Sequence, residues 1–103
     1  LVVGILTLHL QIPENHGLKG KRAALRPLIA ALGREFGVSV AEVGDLDLWQ
    51  RATLGVGVVS GDRRHADSVL AAVVNRVADW EGDVILGQTR SELLDLGQPV
   101  ARA

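Results

Sequence analysis

The sequence predicts an α+β sandwich with the element order βαββαβ, and three observations carry that reading. Four short segments show the two-residue alternation or compact apolar run of strands. Two longer segments carry the apolar stripe of an amphipathic helix. Breaks rich in Gly, Asp, Asn and Pro separate them all. Two right-handed βαβ crossovers joined by a hairpin turn this order into the ferredoxin-like arrangement. It is a four-stranded antiparallel sheet with two helices on one face and the first and third strands central.

The first strand runs from Val2 to Ile12, with Leu6, Leu8, Leu10 and Ile12 on one side and Ile5, Thr7, His9 and Gln11 on the other. Pro13 ends it, because proline has no N–H for the ladder. Leu25, Leu28, Ile29, Leu32 and Phe36 then follow helical spacing up to Gly37, a C-terminal stop. Pro27 fits a first helical turn and kinks a helix already begun near Gly20, so a late start or a bend is expected. Val38 to Asp45 and Ala52 to Ser60 read as two strands joined by the loop from Leu46 to Arg51. Asp62 is a good N-cap for a second helix, whose stripe is Ala66, Val69, Leu70, Val73, Val77 and Trp80. After the turn Glu81-Gly82-Asp83, the last strand runs from Val84 to about Leu93. Residues 1–94 thus form one domain, and 95–103 are expected to be a flexible tail.

With 103 residues, 48% hydrophobic and 22% charged, the chain can bury a core and is not of disordered composition. No apolar stretch approaches the roughly 20 residues that span a bilayer. The opening Leu1–Leu6 has no basic leader or small-residue cleavage site and reads as a strand, not a signal peptide. The absence of cysteine removes disulfides, thiolate metal sites and a Cys nucleophile, and makes the cytoplasm the expected compartment. His9, His16 and His65 lack ligand spacing, so neither metal nor cofactor is expected. Net charge is −1, so any charged partner has to be recognised locally. The charge is segregated. Lys19, Lys21, Arg22, Arg26 and Arg34 fall between Asn15 and Arg34 with no acid among them, whereas Glu35, Glu42, Asp45 and Asp47 fall between Glu35 and Gln50 with no base.

Ile12-Pro13, Leu18-Lys19 with Lys21-Arg22, Val38-Ser39-Val40-Ala41-Glu42-Val43 and Asp47-Leu48-Trp49-Gln50-Arg51-Ala52 together resemble the YlxP-like family of small bacterial proteins, a domain of unknown function. The resemblance extends from about Val2 to Leu94, and its most specific run is the one from Asp47 to Ala52. It implies a ferredoxin-like fold. It also implies work near RNA or ribosomes, because members are often encoded beside translation initiation and ribosome-binding factors. The chain departs from the family at Gly17, where members carry Ser, and at Pro27.

Two constellations could carry function. Gly17, Lys19, Gly20, Lys21 and Arg22 surround a helix N-terminus, where free N–H groups and the dipole favour an anion such as an RNA phosphate, and helical spacing sets Lys19, Arg22 and Arg26 along one edge. The competing reading is a solvated charged face. Asp47, Trp49, Gln50 and Arg51 place a stacking plane among charged and amide groups suited to a base or a protein partner. Alternatively, Trp49 covers the end of the core and Arg51 pairs with Asp45 or Asp47. The uncovered sheet face shows Val3, Ile5, Thr7, His9, Thr53, Gly55, Gly57 and Val59. It lacks the aromatics on which RNA-recognition motifs stack bases, and suits association between copies better. Acylphosphatases share this fold, but their phosphate cradle is not recognisable here, and fold analogy alone does not make a reaction. The expectation is a non-enzymatic binding module accessory to RNA or ribosome-linked processes. The alternative is a homo-oligomeric small-ligand or protein-interaction domain.

Overall fold

Alternation of apolar and polar residues from Val2 to Gln11 makes strand β1, whose even-numbered side chains are buried. In the computed structural model, which describes residues 1–97, there follow α1 (Leu18–Phe36), β2 (Ser39–Gly44), β3 (Arg51–Ser60), α2 (Arg63–Ala78) and β4 (Ile85–Asp95). The strands form one antiparallel sheet in the order β2-β3-β1-β4, so β1 and β3 are central as the sequence implies. Leu8 lies opposite Leu54, and His9 opposite Thr53. Leu6, Leu8, Leu54 and Val56 meet Leu25, Leu28 and Leu32 of α1 and Leu70, Val73 and Val77 of α2 in a single core. Each such side chain contributes on the order of 1.5–3 kcal/mol through burial.

Helix α1 does not start late. It runs unbroken from Leu18 through Pro27 to Phe36. Pro27 and Ala23 face water, so the Ala23 carbonyl that loses its helical donor can be hydrated. Gly37 (φ 64°) closes the helix in the left-handed conformation, its N–H donating to Gly33 O at 3.0 Å. Helix α2 is capped by Asp62, whose carboxylate accepts from the Arg64 N–H at 3.0 Å. At its other end Arg76 donates to Glu35 at 3.1 and 3.4 Å and lies 4.8 Å over the Trp80 ring, tying α2 to α1. Strand β4 continues through Asp95, and Leu96 N–H donates to Leu1 O at 2.9 Å. The remainder of the expected flexible tail, 98–103, lies outside the described residues. No helix among the described residues is long and apolar enough to cross a membrane.

Both helices cover one side of the sheet, and the other side divides in two along the strands. Val3, Ile5, Val59 and Leu94 lie at one end, and His9, Gln11, Arg51 and Thr53 at the other. Thr53 is the exception to the expected open face, being buried. The polar end adjoins the connections β1–α1 and β2–β3, where the residues singled out from the sequence converge.

Candidate functional site

Lys21 is the residue around which this end is built. It sits in line with Leu25, Leu28 and Leu32 on α1, so the helix carries it into the core, where it is 2% exposed. Its stem is covered, and its ammonium finds two carbonyl acceptors and one carboxylate counter-charge. Nζ donates to Asp45 O at 2.7 Å and Leu48 O at 2.8 Å, and contacts Glu42 Oε2 at 2.6 Å. That carboxylate oxygen is shielded from water and, although it pairs with Nζ by charge, accepts no hydrogen bond among the described residues. The expectation that Lys21 contacts a phosphate is therefore corrected: an ammonium buried against two carbonyls and a carboxylate is out of a ligand's reach. Its role is to clamp the β2–β3 loop onto α1.

Four further bonds complete the clamp. Asn15 Nδ2 donates to Trp49 O and, at 2.7 Å, to Gly17 O. Gln50 Nε2 donates back to Asn15 O at 3.1 Å, and Ile12 N–H donates to Gln50 O at 2.9 Å. Gly20 makes room for this arrangement, since a Cβ there would sit 2.1 Å from Asn15 Oδ1. Within the loop, Leu48 N–H closes a turn on Asp45 O at 3.0 Å, with Asp45 at φ 57°.

A loop held this tightly by its backbone presents its side chains outward. Trp49 is 52% exposed and does not cover the core. Leu46 and Leu48 are exposed beside it, and Asp47 to Arg51 line a shallow hollow of about 430 Å³. Arg51 forms no ion pair among the described residues, contrary to the pairing with Asp45 or Asp47 that the sequence allowed. Its guanidinium borders this hollow and two more. Lys19, Arg22 and Arg26 are exposed along one edge of α1 and likewise form no ion pair among the described residues. The first turn of α1 holds no acidic residue, and Gly17 supplies no side-chain cap. Lys19 and Arg22 therefore stand in the first turns of α1 without an ion pair among the described residues, and Asn15 ties the N-cap Gly17 to the backbone of the exposed Trp49.

The sequence did not suggest a second group of residues nearby. Thr53 Oγ1 donates to Asp45 Oδ2 at 3.0 Å and lies 3.3 Å from His9 Nδ1. With the Thr53 hydroxyl directed to Asp45, a His9 tautomer that carries its hydrogen on Nδ1 completes the row. Both edge strands are irregular beside this rung. The β1–β4 register shifts between Leu8 and Leu10, and the β2–β3 register shifts between Glu42 and Gly44. Bulges of this kind re-aim side chains. Pairing of His9 with Thr53 follows from the antiparallel register, which alternation within one strand does not reveal.

Comparison with known proteins places residues 3–90 in a match to the family described as "Protein of unknown function (DUF503)", a range that includes every residue of both groups. One relative is the uncharacterized protein YlxP of Bacillus subtilis (strain 168). It is 32% identical over 73 residues, which cover 71% of this chain and 79% of that protein.

Proposed function

This chain belongs to the DUF503 family, and on that premise we propose that it is a non-enzymatic module that binds RNA, with the ribosome as its setting. The observation that carries the reading is the exposed Trp49 on a backbone-clamped loop, with Arg51 in the same loop and Lys19, Arg22 and Arg26 on the helix to which the loop is clamped, none of the four in an ion pair among the described residues. Every base has a π-face, so a fixed aromatic plane gains on the order of 1–3 kcal/mol per stacked base. Because the loop is already ordered, little of that gain is spent on immobilising it. The cations supply phosphate contacts that set affinity, and the resemblance to proteins encoded beside ribosome-binding factors points to the setting.

Phosphate contacts release counterions, so affinity for a single-stranded or ribosomal RNA fragment should fall linearly with salt on logarithmic axes. Replacing Lys19 and Arg22 together by Ala should flatten that slope by about 2. Fluorescence anisotropy across a salt series measures it. Binding that ignores salt, or no binding, rules the reading out.

A second reading is favoured by the far end of the open sheet face. Ile5 and Val59 are 39% and 69% exposed there, next to Leu94. Arg90 and Glu92 are two residues apart on the same face of β4, and neither is in an ion pair among the described residues. A copy related by a two-fold axis would set each against its opposite, which suits a homodimer. Sedimentation at micromolar concentration should then show a dimer that Val59→Glu converts to monomer. A native chain that sediments as a monomer removes this reading.

A further inference from the structure

The polar end of the open sheet face holds a hollow of about 460 Å³, a size suited to a small ligand. Its floor is Leu10 and Ala52, and its walls carry His9, Gln11, Asp45, Arg51 and Gln88. The unused hydrogen-bonding capacity of these walls is mixed. Arg51 offers donors, with no carboxylate paired to it among the described residues. Asp45 has given one lone pair of Oδ2 to Thr53 and retains the rest of its carboxylate as acceptor. Gln11 and Gln88 offer both.

That mixture discriminates among ligand classes. A phosphoryl group presents acceptors alone, and the Asp45 carboxylate in the wall would repel it. An apolar molecule would strip water from two charged groups and return no hydrogen bonds. A metal ion would find one carboxylate and one imidazole. A planar heterocycle with donors along one edge and acceptors along another satisfies both charges. Among the bases, guanine does this most fully: N1–H and the N2 amino group suit a carboxylate, and O6 with N7 suits a guanidinium. Adenine can bond to the glutamines but offers neither charged group a matched pair, and charge-assisted bonds are the stronger ones.

We infer that this hollow takes one unstacked guanine base, with Asp45 on its Watson–Crick edge and Arg51 on O6 and N7. The chain of bonds from Asp45 through Thr53 to His9 holds the carboxylate in place before the ligand arrives. The inference deepens the RNA reading and rests on it for the natural ligand. A base in this hollow borders Arg51, which also lines the Trp49 hollow, so a neighbouring base can stack there.

The test titrates the whole chain with GMP, AMP, CMP and UMP, which share a ribose phosphate and differ only in the base. Binding is followed by calorimetry and by the NMR signals of His9, Thr53 and Arg51. GMP should bind about tenfold or more tighter than the others and shift those signals. Asp45→Asn should erase the preference. Asn tolerates the left-handed conformation at this position and keeps an acceptor for Thr53, so the fold is retained. Arg51→Met, at an exposed side chain, should erase it too. Equal binding of the four nucleotides, no binding up to about 1 mM, or a preference that survives Asp45→Asn overturns the inference. The RNA reading fails separately. Asp45→Asn should leave salt-dependent binding to a guanine-free oligonucleotide intact, and a chain that prefers GMP but binds no RNA keeps the pocket and loses the wider function.

Discussion

Replacing Lys21 by Met is expected to destabilise the protein by about 3 kcal/mol or more and to release the β2–β3 loop. Methionine keeps the apolar stem, so the variant isolates the ammonium. Without it, the carbonyls of Asp45 and Leu48 lose their link to α1 and Glu42 is left beside an apolar side chain. Breaking a buried ion pair from one side costs about 3–5 kcal/mol. Glu42 is 23% exposed and can recover some hydration, which places the effect at the lower end. Glu42→Gln should destabilise as well, because it leaves the buried ammonium without its counter-charge, but the Asp45 and Leu48 carbonyls still accept from that ammonium and the loop stays attached. Urea denaturation gives the stabilities, and backbone chemical shifts from Asp45 to Trp49 report the loop. A Lys21→Met variant as stable as the parent, with those shifts unchanged, would show that the ammonium does not clamp the loop.

Removing the Trp49 side chain should do the opposite, weakening RNA binding while leaving stability alone. Asn15 holds this residue through its carbonyl oxygen, so Trp49→Ala keeps the bond that shapes the loop. Trp49 is 52% exposed and belongs to no part of the buried core cluster, so the change in stability should be small. Loss of one stacked base, about 1–3 kcal/mol, corresponds to a fall in affinity from roughly fivefold to more than a hundredfold. Paired measurement of melting temperature and RNA anisotropy separates the two effects. An unaltered affinity would assign the loop some other partner, and a large drop in melting temperature would mean that the ring packs in the core. On the proposed reading Lys21 and Trp49 form a contrast: one residue shapes the surface without touching RNA, and the other would touch RNA without shaping the surface.

On the proposed reading recognition at this end is local, in keeping with a net charge of −1. Lys19 and Arg22 flank the buried Lys21 on α1, and the clamp joins their helix to the loop of Trp49. A phosphate at the cationic edge and a base on the indole can therefore belong to one strand of nucleic acid. Loosening the clamp should separate these two contacts, so Lys21→Met is expected to affect RNA binding as well as stability.

The elements and their faces follow from patterns that each segment carries within itself. Alternation along β1 already separates Leu6, Leu8 and Leu10 from Ile5, Thr7 and His9, and the stripe of α2 already names Leu70, Val73 and Val77. The Asp62 cap and the Gly37 stop are equally local. Lys21 carried a partial signal, since it stands four residues before Leu25 on the same stripe. Charge alone grouped it with Lys19 and Arg22, whereas its acceptors lie at Glu42, Asp45 and Leu48, more than twenty residues away. The exposure of Trp49, the use of Asn15 as a tie and the row Asp45–Thr53–His9 depend on which strands become neighbours and in what register. A repeat of two or 3.6 residues records only which way a side chain points. What that side chain meets is set when distant segments pack, and the candidate site is made almost wholly of such meetings.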